Sequence, residues 1–65
     1  MTADEFNALH PIGTPVAAFP ITRDEPPLLT TTRSPAWTLG HDVAVVSVHG
    51  HAGGIALTHL DPRRA

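Results

Sequence analysis

A chain of 65 residues without a single cysteine has few ways to hold a fold together. At this length only about 60% of the surface of the unfolded chain is buried on folding, so one apolar core gives marginal stability. Disulfides and thiolate metal sites are excluded by composition. A compact apolar core, a histidine–metal site and self-association remain. The length allows one domain. The lack of cysteine fits a reducing compartment. The first residues, Met1-Thr2-Ala3-Asp4-Glu5-Phe6, have neither the basic start nor the apolar run of a secretory signal. No apolar stretch approaches the roughly 20 residues of a membrane-spanning helix. The expectation is a cytoplasmic protein with no membrane partner.

Charge narrows the choice of partner. Four arginines face six acidic residues, and lysine is absent. Arg63 and Arg64 sit at the C-terminal tip, which leaves Arg23 and Arg33 for the body of the domain. Duplex binders neutralise many phosphates at once, and two body arginines in a monomer neutralise few. The acidic excess is too small for a phosphate mimic.

The order of strand and turn signals runs as follows. Phe6 and Leu9 are three apart, so a short helical turn would put both on one face, but the polar residues around them read as a flexible N-terminal segment over 1–10. His10-Pro11 ends any helix there, since the residue before proline avoids the α region. Val16-Ala17-Ala18-Phe19 reads as a strand between Pro15 and Pro20, and prolines at both ends suit an edge strand better than a central one. Ile21 to Pro27 is a long loop that ends in two prolines. Leu28 to Arg33 carries three β-branched threonines and reads as a second strand.

Ser34-Pro35-Ala36-Trp37-Thr38-Leu39-Gly40 has a capping serine, a proline at the first helical position and a glycine stop. It predicts one helical turn over Pro35–Leu39, with Trp37 and Leu39 packed inward. Val43 to His49 is the strongest strand. Ala44, Val46 and Val48 form an apolar face, and Val45, Ser47 and His49 form a mixed one. His49-Gly50-His51-Ala52-Gly53-Gly54 is a glycine-rich hairpin connection, and Ile55 to Leu60 returns as a strand with Ile55 and Leu57 inward.

Four to five short strands, one helical turn and a long loop must curl around a shared core, because a lone hairpin is marginal in water. Closure into a small barrel also hides strand edges. The predicted fold is mainly β, a small SH3-like β-barrel over residues 11–62, with a tail at 63–65; an irregular three- or four-stranded sheet is the alternative.

The candidate chemistry is thin. Five histidines are a high density. His49 and His51 share a strand face, and His59 lies on the pairing strand, a spacing that would suit zinc. Half-exposed surface and turn residues explain them as well, and the expectation is no metal and no cofactor. Ser47 and His49, with Asp42 or Asp61, fall short of a catalytic set. Such a set needs an oriented base and an oxyanion site in a concave pocket, and a filled barrel of this size leaves no room for one. The Gly50-x-x-Gly53-Gly54 run lies between strands rather than ahead of a helix, so it serves a turn and not a phosphate.

What remains is a surface. The Val45 face is apolar for a solvated strand, and covering it against a protein partner or a second copy would stabilise so small a chain. The Pro20–Pro27 loop would form the rim of a groove beside Trp37, where an extended peptide can lie. The candidate interaction residues are Val45, Ser47, His49, Arg23, Arg33 and Trp37. The leading expectation is a non-catalytic protein-interaction module, and the alternative is a nucleic-acid-binding small barrel. The latter would use aromatic platforms and a basic groove, and it needs loop and tail arginines to converge.

The runs Gly13-Thr14-Pro15-Val16, Thr32-Arg33-Ser34-Pro35-Ala36-Trp37-Thr38-Leu39-Gly40, Val45-Val46-Ser47-Val48-x-Gly50 and Gly53-Gly54-Ile55-Ala56-Leu57-Thr58-His59 resemble a group of very small proteins, with no assigned function, from Streptomyces and related actinobacteria. The resemblance covers Pro11 to Leu60. It implies an accessory protein of a phage or other mobile element, or of its host, and carries no activity or site residue with it.

Overall fold

The computed structural model describes residues 1–63; it is mainly β, with two three-stranded antiparallel sheets and one short helix. The elements are α1 (Ala3–Leu9), β1 (Pro15–Ala18), β2 (Leu28–Thr31), β3 (Trp37–Leu39), β4 (Val43–Ser47), β5 (Gly54–Ala56) and β6 (Leu60–Pro62), with 3₁₀ turns at Gly40–Asp42 and Leu57–His59. One sheet has the order β2-β1-β6 and the other β3-β4-β5. The two meet at a single rung, Thr32 against Val48.

The apolar face expected on the strongest strand builds the core. Val46 and Val48 are fully buried and Ala44 packs beside them. Val16 and Ala18 of β1, Ile55, Leu60 and Ala36 complete it, and Phe6 of α1 closes it from the side at 2% exposure. The glycine-rich connection is a hairpin turn as read: Ser47 pairs with Gly54, and Gly50 and Gly53 adopt φ of 87° and 83°, which glycine takes without a Cβ penalty.

Four local expectations are corrected. β1 is central, bonded to β2 and β6 on its two sides. Its prolines do not forbid this, because Pro15 is the first residue of the strand and Pro20 lies beyond its end, so neither removes an interior ladder donor. The segment Pro35–Leu39 is not a helical turn. Trp37–Leu39 form β3 and pair with Val43–Val45, and the hairpin ladder overrides the local capping signal. Trp37 and Leu39 consequently face solvent rather than the core. The return strand stops at Ala56; a 3₁₀ turn over Leu57–His59 then carries the chain across to the other sheet, where Leu60 pairs with Ala18.

Residues 1–10, expected to form a flexible segment, carry α1. Thr2 Oγ1 accepts the Glu5 N–H at 3.1 Å while Glu5 Oε1 accepts the Thr2 N–H at 2.9 Å, a reciprocal cap. That bond to the Thr2 backbone, with the Thr2 side chain, lowers the Glu5 pKa from its ordinary value. The helix is docked by Asn7. Its Oδ1 accepts the Ala36 N–H at 2.7 Å and its Nδ2 donates to the Ala36 carbonyl at 3.0 Å. Of the tail read at 63–65, Arg63 donates its N–H to the Pro15 carbonyl at 2.7 Å, and the two residues after it lie outside the described range.

Two outcomes are expected. Asn7→Ala leaves both Ala36 backbone groups unpaired in a half-buried position and lowers the unfolding free energy by about 1–3 kcal/mol. Urea denaturation measures the loss, and an unchanged midpoint contradicts the docking role. The β3–β4 connection holds His41 and Asp42 at φ of 62° and 61°, a region unfavourable to residues with a Cβ. Replacing the pair by Asn-Gly raises stability by about 1 kcal/mol in the same assay; a lowered midpoint contradicts that backbone assignment.

Candidate functional site

Alternation along the second sheet sorts its side chains into two faces. The inner face carries Ala44, Val46 and Ile55 into the core. The outer face carries the rows Leu39–Val43, Trp37–Val45–Ala56 and Ser47–Gly54. Past the end of β4 the ladder continues onto the end of β2: Arg33 donates its N–H to the Ser47 carbonyl at 2.9 Å, and His49 donates its own to the Thr31 carbonyl at 3.1 Å. Thr32 and Val48 point inward between them, at 1% and 0% exposure, so Arg33, Ser47 and His49 extend the outer face.

Five of the six candidate residues therefore share one surface: Val45, Ser47, His49, Arg33 and Trp37. Their accessibility differs from the expectation. Val45 is only 4% exposed, because the Trp37 indole lies across it, whereas Trp37 itself is 39% exposed. Gly54 makes this possible. A Cβ at that position would stand 2.9 Å from Val45 Cγ2 and 3.2 Å from Trp37 Cη2, so the indole rests where a side chain would otherwise be. The accessible apolar surface is thus Trp37 with Leu39 and Val43, both close to half exposed. Sequence reasoning missed Leu39 and Val43 as surface residues. Once Trp37–Leu39 is taken as a strand, their odd-numbered positions place them beside Trp37 and Val45.

Arg23 is elsewhere. Its guanidinium bonds both carboxylate oxygens of Asp61, at 3.0 and 3.2 Å, and donates to the Thr58 carbonyl at 2.7 Å from Nη2 and 3.2 Å from Nε. It also lies over the Phe19 ring, 4.9 Å from the centroid. The side chain fastens the Phe19–Pro27 loop to the 3₁₀ turn and β6, in the first sheet, rather than beside Trp37. Arg33 sends its Nε–H to the Val48 carbonyl at 3.1 Å. The two body arginines work as separate structural ties, so the convergence that a basic groove requires is not met by them. Among the described residues no group of three His, Cys, Asp or Glu side chains gathers in a metal-binding arrangement, so His49, His51 and His59 are not brought together. Among those residues no helix is long and apolar enough to cross a membrane.

A cavity of about 260 Å³ opens beside α1, the Leu57–His59 turn and β6, lined by Met1, Phe6, Leu57, Thr58, Leu60 and Pro62. It is apolar and holds no convergent polar side chains of the kind that orient a substrate. Comparison with known proteins adds no assignment: no protein-family model matches the chain, and no curated protein or solved structure matches it significantly.

The Arg23–Asp61 pair gives a pH signature. Hydrogen bonds from Arg23, reinforced by its charge and opposed by desolvation, hold the Asp61 carboxyl below its ordinary range; the same bonds raise the Arg23 pKa. Asp61 then titrates lower folded than unfolded, where it sits at about 3.9. The pair's stabilisation is complete above the unfolded value and is lost as pH falls through the folded one. An NMR titration of the Asp61 carboxyl is expected to give a midpoint below about 3.9, and Arg23→Gln to return it toward that value. A midpoint unmoved by the substitution contradicts the clamp.

Proposed function

We propose that this chain is a small, non-catalytic protein-interaction module of SH3-like topology, which recognises its partner through the outer face of the β3-β4-β5 sheet. The observation that carries this reading is the patch of Trp37, Leu39 and Val43. These are three neighbouring apolar side chains on the outer sheet face, each more than a third exposed, while the core is built from other residues. Exposed clusters of this kind mark binding surfaces, and tryptophan is a preferred anchor within them. Ser47, His49 and Arg33 form its polar rim on the β2 side, in keeping with the apolar centre and polar border of protein interfaces.

The topology reading draws support from the order of elements. A long loop separates β1 from β2, the end of β2 crosses to the second sheet at Thr32, and a 3₁₀ turn precedes a last strand that returns beside β1. The resemblance to small actinobacterial proteins belongs to the same proposal and suggests an accessory factor of a phage or mobile element, acting in the cytoplasm.

Site-specific photo-crosslinking tests this reading. A benzophenone side chain at Leu39 or Val43 is expected to capture a discrete protein in host cells. The same group at Ile21, an equally apolar and more exposed position on the Phe19–Pro27 loop, is expected to capture none. Equal capture at all three positions, or adducts with nucleic acid alone, would overturn the proposal.

A further inference from the structure

Followed along β4, the outer face of the β3-β4-β5 sheet runs in rows. Arg33 stands opposite Ser47, Trp37 opposite Val45, and Leu39 opposite Val43. The first row is polar and the other two are apolar. Successive rows lie two residues apart on β4, about 6.6–6.8 Å.

Arg33 is the arginine of this face, and its charge is uncompensated there. Its Nε–H goes to the Val48 carbonyl at 3.1 Å, which holds the guanidinium in place. Among the described residues neither of its Nη groups has a hydrogen-bond partner, and the one ion pair is Arg23–Asp61 on the other sheet. Asp42, in the turn past the far row, is five residues along the chain from Ser47, roughly 17 Å, well beyond the screening length of about 8 Å at physiological salt. Ser47 adds a hydroxyl beside Arg33. Among the described residues its hydrogen bonds run through the backbone, so the hydroxyl is available.

We infer that the partner offers this face an extended segment with the pattern acid-x-apolar-x-apolar. Arg33 takes the aspartate or glutamate carboxylate through its two Nη groups, and the apolar side chains settle on the Trp37–Val45 and Leu39–Val43 rows. This rests on the interaction reading above and states the chemistry of the partner. A guanidinium fork matches a carboxylate with two parallel N–H···O bonds. A fork already anchored at Nε gives up little freedom in forming them. Ser47, the cross-strand neighbour, is placed to donate its hydroxyl to the same carboxylate. A lone cation suits one carboxylate on a peptide, whereas a nucleic-acid strand is held by many phosphate contacts. The row spacing sets the conformation. Alternate side chains of an extended chain repeat at the same 6.6–6.8 Å interval, while helix positions four apart repeat at about 6.0 Å and fall short by about 1.4 Å over two rows.

Titration of the full chain with the acetylated and amidated peptide Glu-Thr-Leu-Thr-Leu, followed by amide NMR and Trp37 fluorescence, is the test. Blocked ends leave the glutamate as the only charge on the peptide. Resonances of Arg33, Ser47, Trp37, Leu39 and Val43 are expected to shift, and those of Ile21 and Arg23 to stay. Glutamine in place of the glutamate is expected to weaken binding about three- to tenfold, and lysine to weaken it further. Arg33→Glu, with its fold checked by the amide spectrum, is expected to reverse the order and prefer the lysine peptide. The ranking on the native chain stands as a test even where the variant does not fold. Equal binding of the three peptides to the native chain, an unchanged order in folded Arg33→Glu, or no shift up to about 1 mM peptide overturns the inference. The interaction reading is judged separately by crosslinking at Leu39 and Val43. Capture of a discrete protein there keeps it even where the three peptides bind equally, and a chain that neither captures a protein nor shifts with any peptide loses both.

Discussion

Thr32 and Val48 form the rung on which the whole arrangement turns. On one side of it Arg33 bonds Ser47, and on the other His49 bonds Thr31, so the end of β2 is stitched to the end of β4 and two separate sheets become one folded surface. The buried Thr32 adds a second tie. Its backbone bonds Gly13 and Thr14, and its hydroxyl accepts the Gly13 N–H at 3.0 Å, which fixes the turn that leads into β1. A three-stranded sheet needs an apolar face, and that face must be covered, to be stable. Joined at this rung, their inner faces share one core, which the 3₁₀ turn at Leu57–His59 then allows β6 to complete from the first sheet.

That core is assembled from small side chains. Val16, Ala18, Ala36, Val46 and Val48 supply most of it, with Phe6, Ile55 and Leu60 as its larger members. The single tryptophan lies outside this core: pairing with Val45 sets it on the outer face, where it covers Val45 and opens toward solvent, and the absence of a side chain at Gly54 gives the indole its seat.

Much of this was legible in the residues. The period-two pattern of Ala44, Val46 and Val48 identified the core strand, and the glycines at 50, 53 and 54 identified the hairpin. What was misread depended on pairing at a distance. Ser34-Pro35 and Gly40 carry helix boundary signals, yet Trp37–Leu39 lie within three residues of a strong strand and join its ladder. The 3₁₀ turn after Ala56 answers to the demands of β6 beside β1, and nothing within Ile55–Leu60 announces it. The Asn7–Ala36 and Arg23–Asp61 contacts join residues 29 and 38 apart, beyond any local pattern. The N-terminal helix was missed although its signal was present: Thr2-x-x-Glu5 is a capping box, which the reading of 1–10 as a flexible segment passed over. For the surface, the mixed face read on β4 is the outer face of its sheet, as alternation indicated. The exposed members of that side came into view only once β3 was known to be a strand.

The central structural claim is that the tryptophan lies on the outer face of the β3-β4-β5 sheet and not in the core, and fluorescence tests it directly because Trp37 is the sole indole. Acrylamide quenching of the dilute native protein is expected to be readily measurable, with a constant that is a substantial fraction of the unfolded chain's and an emission maximum shifted only slightly on unfolding. A native indole shielded from acrylamide, with blue-shifted emission released only by denaturant, would place Trp37 inside the domain and contradict the account.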